Sequence, residues 1–293
     1  MKISMNTYFS KLKDGKETTF LERLEAIKEA GFNAVGLQLH KEKISIQEQS
    51  KLCDELGLDI TYVHIDYGNE SLLNDFWLDN EIGDGVEKLF ADQILEAKGV
   101  NCKNLVYHLC CSYETVLSEV GLHRIERLCK LSKEYGFNFC VENTFRPDKF
   151  DYIFKNLDLD NLKMCYDCGH ELFLTPEATT VEKYHDKITC LHIHDNCGQF
   201  YKTTNSRGEV IPSTLNDEHR ILGEGVIDVE ALAKKLALVS SDVPLNMEFK
   251  SIIRTTDENG QIKNIDIGYN KEMLKKVYDA LKDLENRINK YKM

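Results

Sequence analysis

The sequence predicts a (β/α)8 barrel on three observations: one phrase repeats along the chain, eight candidate strands alternate with eight candidate helices, and long loops fall at only one end of the strands. The phrase is an amphipathic helix, a glycine, an apolar residue, an Asn or Asp, and then a strand. It occurs at Gly31-Phe32-Asn33, Gly57-Leu58-Asp59, Gly99-Val100-Asn101 and Gly136-Phe137-Asn138. Glycine just past a helix supplies the left-handed residue that ends it, and the apolar residue behind it packs the joint.

Strands are expected at 2–5, 34–39, 60–65, 103–108, 139–142, 162–167, 188–194 and 244–249, the second to fifth of them introduced by the repeated phrase. Helices are expected at 19–30, 45–56, 86–98, 113–135, 149–157, 176–185, 228–239 and 269–290, where apolar residues recur at three-to-four spacing. Thr175-Pro176 has the form of a cap followed by a first-turn proline, and Asp228 that of another cap. An open doubly wound sheet would show the same alternation, but the connections favour the barrel. Helix-to-strand joints are short, whereas the strand-to-helix stretches 66–85, 195–227 and 251–268 are long. In barrels the working face is built from those carboxyl-end loops.

Composition sets the remaining bounds. The 293 residues, 42% hydrophobic and 29% charged, are expected to form a single domain over 1–293. A chain of this length buries roughly three quarters of its unfolded surface, so it needs neither disulfides nor structural zinc. Met1-Lys2-Ile3-Ser4-Met5-Asn6 has no secretion-signal pattern, and no apolar run approaches the roughly 20 residues that span a bilayer. A cytoplasmic protein with no membrane partner is expected. The ten cysteines then read as reduced, small core side chains, and Cys165-Tyr166-Asp167-Cys168 is a lone C-x-x-C without the second pair of a zinc site. A net charge of -12 without a basic stripe opposes nucleic acid binding. No dinucleotide fingerprint or phosphate loop appears, so no nucleotide cofactor is implied. A small-molecule substrate is the expected partner, with homo-oligomerisation left open.

The unusual residues sit at strand ends. Tyr62-Val63-His64, Val106-Tyr107-His108, Cys140-Val141-Glu142, Cys165-Tyr166-Asp167, Cys190-Leu191-His192 and Asn246-Met247-Glu248 each close a strand. His170 follows Asp167 by one helical turn, and Asp217-Glu218-His219 lies in the long loop after His192. Any one of these has an ordinary structural reading. Carboxylates and imidazoles converging from several strands on one barrel mouth are metal-ligand chemistry, suited to Mn, Mg, Fe, Co or Zn. His194 shares the face of His192 by strand alternation and is placed to approach substrate. His40, His123 and His185 lack such company and read as structural or surface groups.

Glu142-Asn143-Thr144, Asp167-Cys168-Gly169-His170, His192-Ile193-His194-Asp195-Asn196, Asp217-Glu218-His219 followed by Gly223-Glu224-Gly225-Val226-Ile227-Asp228, and Glu248 together resemble the xylose-isomerase-like sugar isomerase/epimerase superfamily of TIM barrels. Endonuclease IV belongs to the same superfamily. The resemblance implies that Glu142, Asp167, His192 and Glu248 hold one divalent metal, with Glu142 and Glu248 as acid and base on opposite faces of a sugar. It makes His170 a substrate or second-metal residue. His64, His108, Asp217 and His219 correspond to positions that endonuclease IV uses for further zinc ions, and Tyr67 to its DNA-contacting tyrosine. Lys250 could hold a substrate oxygen or phosphate, or serve as an ion-pair partner. The stretch 66–85, with Tyr67, Phe76 and Trp77, could wall a sugar ring, and the insertion Gln199 to Asn216, longer than in many sugar enzymes of the superfamily, could be a lid. Sugar isomerisation or epimerisation by proton transfer is the favoured activity. The alternatives are phosphodiester hydrolysis at abasic DNA and a non-catalytic sugar-binding barrel.

Overall fold

A computed structural model of the chain describes residues 1–9, 12, 15–109, 115–144, 147–174, 179–198, 202–204, 208, 210–212, 217–256, 262–266 and 268–292. In chain order the elements are β1 (Ile3–Asn6), α1 (Phe20–Ala30), β2 (Ala34–Gln38), α2 (Ile46–Leu56), β3 (Asp59–His64), a 3-10 helix (Glu70–Trp77), α3 (Glu81–Glu96), β4 (Asn104–Tyr107), α4 (Glu119–Glu134), β5 (Asn138–Glu142), α5 (Pro147–Asn156) and β6 (Leu162–Asp167). There follow α6 (Cys168–Leu174), α7 (Thr180–Tyr184), β7 (Ile188–Ile193), β8 (Lys202–Thr204), β9 (Val210–Pro212), α8 (Val229–Leu236), β10 (Leu245–Met247), β11 (Ile252–Thr256), β12 (Ile262–Asp266) and α9 (Lys271–Lys292).

The predicted strands close into a barrel in the order β1-β10-β7-β6-β5-β4-β3-β2, so the open-sheet alternative falls away. Neighbouring strands in it run parallel. The repeated phrase is what turns each helix back into the barrel: Gly31, Gly57, Gly99 and Gly136 all have positive φ, between 62° and 110°. At the other helix ends, Thr19 with Glu22 and Ser45 with Glu48 form reciprocal capping boxes, which start α1 and α2 where the apolar spacing begins.

Three departures from the sequence reading concern loops. The helix expected at 113–135 starts only at Glu119, behind the cap Ser118, whose side chain accepts from the Gly121 N–H. Of the helix expected at 176–185 the described residues show only the short α7, and a further helix not expected from the sequence, α6, begins directly after β6; the Thr175-Pro176 cap lies outside the described residues. The long connections carry structure of their own, namely the 3-10 helix and the antiparallel hairpins β8–β9 and β11–β12. Among the described residues no helix is long and apolar enough to cross a membrane.

The main core lies between barrel and helices, where Leu24, Ile27, Phe90, Leu128 and Leu284 are fully or almost fully buried. A second, smaller cluster of Tyr62, Val106, Cys140, Cys165 and Cys190 fills the barrel interior. Arg124 of α4, also buried, ties the 3-10 helix to this framework. Its guanidinium donates to the carbonyls of Phe76 and Leu78 at 2.7 Å each and pairs with Asp84 at 2.6 Å. Two carbonyls at the end of a short helix and a carboxylate in the first turn of α3 thus share one cation. Arg124→Met is expected to cost on the order of 3 kcal/mol, because buried carbonyls and Asp84 lose their donor. Urea denaturation checks this, and an unchanged midpoint would remove the role.

Candidate metal centre

Four strand ends deliver the candidate ligands. Glu142 ends β5, Asp167 ends β6, His192 lies near the end of β7 and Glu248 follows β10. The β6–β7 register sets Asp167 opposite His192, and the β7–β10 register sets His192 opposite Asn246, two residues before Glu248. Parallel strands in this register must aim these side chains at a common point. His192 Nδ1 lies 3.2 Å from Glu142 Oε1, 3.7 Å from Glu248 Oε1 and 3.9 Å from Asp167 Oδ2. All four are buried.

Further imidazoles flank this quartet on both sides. His108 Nε2 and His64 Nε2 lie 3.1 and 3.4 Å from Glu142 Oε2, and the His64 ring is held from behind by Nδ1 donating to the Ile65 carbonyl at 2.9 Å. On the other side His170 Nδ1 reaches Glu142 Oε1 at 3.2 Å, while His194 Nε2 reaches the Asp167 carboxylate at 3.0 Å. His194 stacks on His219, with ring centroids 4.1 Å apart and planes 11° from parallel. His219 in turn meets Asp217 at 2.6 Å, and Asp217 accepts from Lys250 Nζ at 3.0 Å.

The long loop does not displace Asp217 and His219, because its two ends are stapled. Asp195 and Arg220 exchange backbone hydrogen bonds at 3.0 and 2.9 Å, as in a one-rung antiparallel ladder. Glu218 N donates to the Asn196 side chain at 2.8 Å, and Cys197 N to the Glu218 carboxylate at 2.6 Å. The residues that flank the insertion therefore form a fixed base. His219 itself sits at φ 49°, in the left-handed region, and its Nδ1 meets the Glu248 carbonyl at 3.0 Å. A non-glycine residue there carries backbone strain that its surroundings must hold.

Gly169 shows how tightly the second flank is packed. A Cβ on it would lie 2.1 Å from the His194 ring, so only glycine lets α6 start directly beneath that imidazole. Gly169→Ala is expected to cost about 1–3 kcal/mol through overpacking. Thermal denaturation measures it, and wild-type stability would show that the ring has room to move.

The electrostatics are those of a pocket that draws positive charge. Burial alone would push the Glu142 carboxyl up, but His192 and then His108 overcome it and hold it well below the usual carboxylate range. Asp167, likewise opposed by burial, is held at about 2 by His170 and His194. The imidazoles answer in kind. Burial lowers His192 and His170, yet Glu248 and Glu142 raise His192 well above its ordinary value, and Asp167 and Glu142 raise His170 to about 10. Three buried carboxylates around one imidazole nitrogen are a donor set of hard oxygens and one borderline nitrogen, which fits a divalent Mn, Mg, Fe, Co or Zn ion. Groups of this kind that could hold a metal are Glu142, Asp167 and His192; His64, His108 and Glu142; Asp167, His170 and His194; and His194, Asp217 and His219.

The mouth above them is a chamber of about 280 Å³ lined by His64, Tyr67, His108, Glu142, His170, Asp217, His219, Glu248 and Lys250. Tyr67 stacks on His108 there, with centroids 5.1 Å apart and planes 16° from parallel. Trp77 requires a correction as a substrate wall: it is buried, donates its indole N–H to the Leu109 carbonyl at 2.7 Å, and packs behind Glu142 rather than lining the chamber. Phe76 is buried with it. Most of the insertion from Gln199 to Asn216, read as a lid, lies outside the described residues. Tyr8, Gln38 and Lys41 also line the chamber and were missed in the sequence, although Gln38 ends β2 as the ligands end their strands. His40, His123 and His185 are exposed and take no part.

A family model described as xylose isomerase-like TIM barrel matches residues 24–266. The chain belongs to that family. Among curated proteins, an uncharacterized protein of Methanocaldococcus jannaschii is 30% identical over 175 residues, which are 56% of this chain and 62% of the relative. Two further curated relatives are matched over only 52% and 47% of their lengths. Among solved structures, D-psicose 3-epimerase from Clostridium cellulolyticum H10, crystallised with D-tagatose, superposes with a TM-score of 0.71 at 15% identity, covering 98% of this chain and 99% of that one. The IOLI protein with a bound zinc atom gives 0.66 at 16% identity, covering 99% of each. At such identities the likeness is one of fold. In this xylose isomerase-like barrel, as in barrels generally, the polar side chains that line the chamber collect at the carboxyl ends of the strands.

Proposed function

We propose that the protein is a divalent-metal-dependent sugar isomerase or epimerase that works by proton transfer at a substrate carbon. One observation carries the reading: Glu142 and Glu248 come from strands on either side of β7 and converge on His192 Nδ1 at 3.2 and 3.7 Å. Two carboxylates so placed are an acid and a base for one small substrate in a chamber of about 280 Å³. Glu142, Asp167, His192 and Glu248 would hold the cation, which when bound polarises a carbonyl and its neighbouring hydroxyl and so acidifies the carbon between them. Glu142 or Glu248 takes the proton from that carbon, and the other returns one. His170 and Lys250 face the chamber and orient substrate oxygens. Burial of the carboxylates limits competing water. The epimerase activity of a structural neighbour supports this assignment. Its test is a screen of ketoses and sugar phosphates with the protein loaded separately with Mn, Mg, Co, Fe and Zn. Turnover of at least one is expected, and none with any metal would overturn the reading.

A second reading is favoured by the donor groups beyond the quartet, namely His64 and His108 on Glu142, and His170, His194, Asp217 and His219 beyond Asp167. Clustered metals there would suit phosphodiester hydrolysis at abasic DNA, as the resemblance to endonuclease IV implies. The charge of -12 works against it. Purified protein carrying about three zinc ions and nicking abasic duplex DNA would establish that chemistry.

A further inference from the structure

The quartet belongs to one contiguous half of the barrel, β5, β6, β7 and β10, so a small substrate held there by its reacting carbon extends its far end toward the other half. In that half β2 stands four places from β6 in either direction round the closed barrel, which makes it the strand opposite Asp167. Just past β2 the chain turns through His40, Lys41 and Glu42. Both neighbours of Lys41 are tied down. His40 lies in the left-handed region at φ 58°, with Nδ1 3.1 Å from the Asp66 carboxylate and Nε2 2.8 Å from that of Glu96. Glu42 pairs with the buried guanidinium of Arg23, which also donates to the Thr18 carbonyl at 2.9 Å. A non-glycine residue in that conformation persists only where its surroundings fix it. The turn so held sets Lys41 in the chamber wall together with Gln38.

Among the described residues Lys41 has no ion-pair or hydrogen-bond partner. By itself this is ordinary, since the exposed Lys43 beside it is equally free. What sets Lys41 apart is the wall it belongs to. The carboxylates there are already answered: Glu142 by His108 and His170, Glu248 by His219 at 3.3 Å, and Asp217 by His219 and by Lys250 at 3.0 Å. Of the two lysines in the wall, Lys250 is engaged and Lys41 is not. We propose that the substrate carries an anionic group, a phosphate ester or a carboxylate, at the end remote from its reacting carbon, and that Lys41 is the specificity-determining residue that binds it. An ammonium is a compact charge with three donors, suited to either anion. This rests on the reading of the chamber as a sugar isomerase site. The competing account makes Lys41 a solvated surface charge.

The test compares ketopentoses and ketohexoses with their terminal phosphates and with the keto acids oxidised at the same carbon, on manganese-loaded protein, by calorimetric binding and by turnover. An anionic form is expected to bind at least about tenfold more tightly than its neutral parent, and the phosphate and carboxylate arms tell which anion is used. Lys41→Ala should weaken the anionic form about 10- to 100-fold, the size of a charge-assisted hydrogen bond, chiefly through KM, and leave the neutral parent unchanged. Lys41→Arg should recover most of the loss. Lys43→Ala removes the same charge outside the chamber and should change nothing. If neutral ketoses bind as well as anionic ones, or Lys41→Ala behaves as Lys43→Ala does, the proposal is overturned and the isomerase reading stands. If nothing turns over yet an anionic ketose binds in a Lys41-dependent way, the anion site is supported and only the isomerase reading fails. If no ketose of any kind binds, both fall.

Discussion

Replacing Glu142 or Glu248 by glutamine is expected to lower turnover at least about a hundredfold, the low end of what a positioned general base contributes. Glutamine preserves size and one oxygen but removes the basic site. The two substitutions should differ in their side effects. Glu142 is the hub of the pocket, with His64, His108, His170 and His192 all within 3.4 Å of its oxygens. Glu142→Gln therefore leaves several imidazoles facing a neutral amide, and weakened metal binding should accompany the lost turnover. Glu248 meets His192 at 3.7 Å and His219 at 3.3 Å, a sparser setting in which the loss should fall more purely on turnover. Wild-type reaction in deuterated water completes the test. Proton transfer through either glutamate places solvent deuterium on the product carbon, whereas direct hydride movement between carbons leaves it unlabelled. Unlabelled product would refute the acid–base roles while leaving an isomerase possible.

How much of this was legible in the chain depends on what each feature rests on. The barrel was, because Gly31, Gly57, Gly99 and Gly136 mark helix ends by a conformation that no packing accident imitates. The convergence of the four quartet residues was, because they lie at or just beside strand ends and the register of parallel neighbours then dictates where they point. Trp77 was not. An aromatic in a long carboxyl-end loop looks like a wall until the 3-10 helix is seen to fold it inward, under the Leu109 carbonyl and against Gly121. That depends on Arg124, 46 or more residues away in sequence, gathering the helix's carbonyls. The placement of Asp217 and His219 was obscured for a similar reason. The Asp195–Arg220 pairing that closes the loop base is a contact between two undistinguished positions.

Removing metal with a chelator is expected to abolish turnover and to lower stability, both reversibly. The stability effect follows from mass action. A ligand that binds only the folded chain, present at about a thousand times its dissociation constant, stabilises by about 4 kcal/mol. In the metal-free protein the buried carboxyl groups of Glu142, Asp167 and Glu248 face imidazoles whose hold on a proton they strengthen, raising His192 well above its ordinary value and His170 to about 10. A divalent ion would displace such protons. Melting temperature should therefore rise with added metal and saturate. Asp167→Asn should flatten the response, because Asp167 is fully buried, faces both His192 and His194, and has no solvent to replace its charge. His123→Ala, at an exposed position on α4, should leave the response unchanged and serves as the control. A melting temperature that ignores all five metals, or an Asp167→Asn response equal to wild type, would place any bound metal elsewhere and dissolve the quartet.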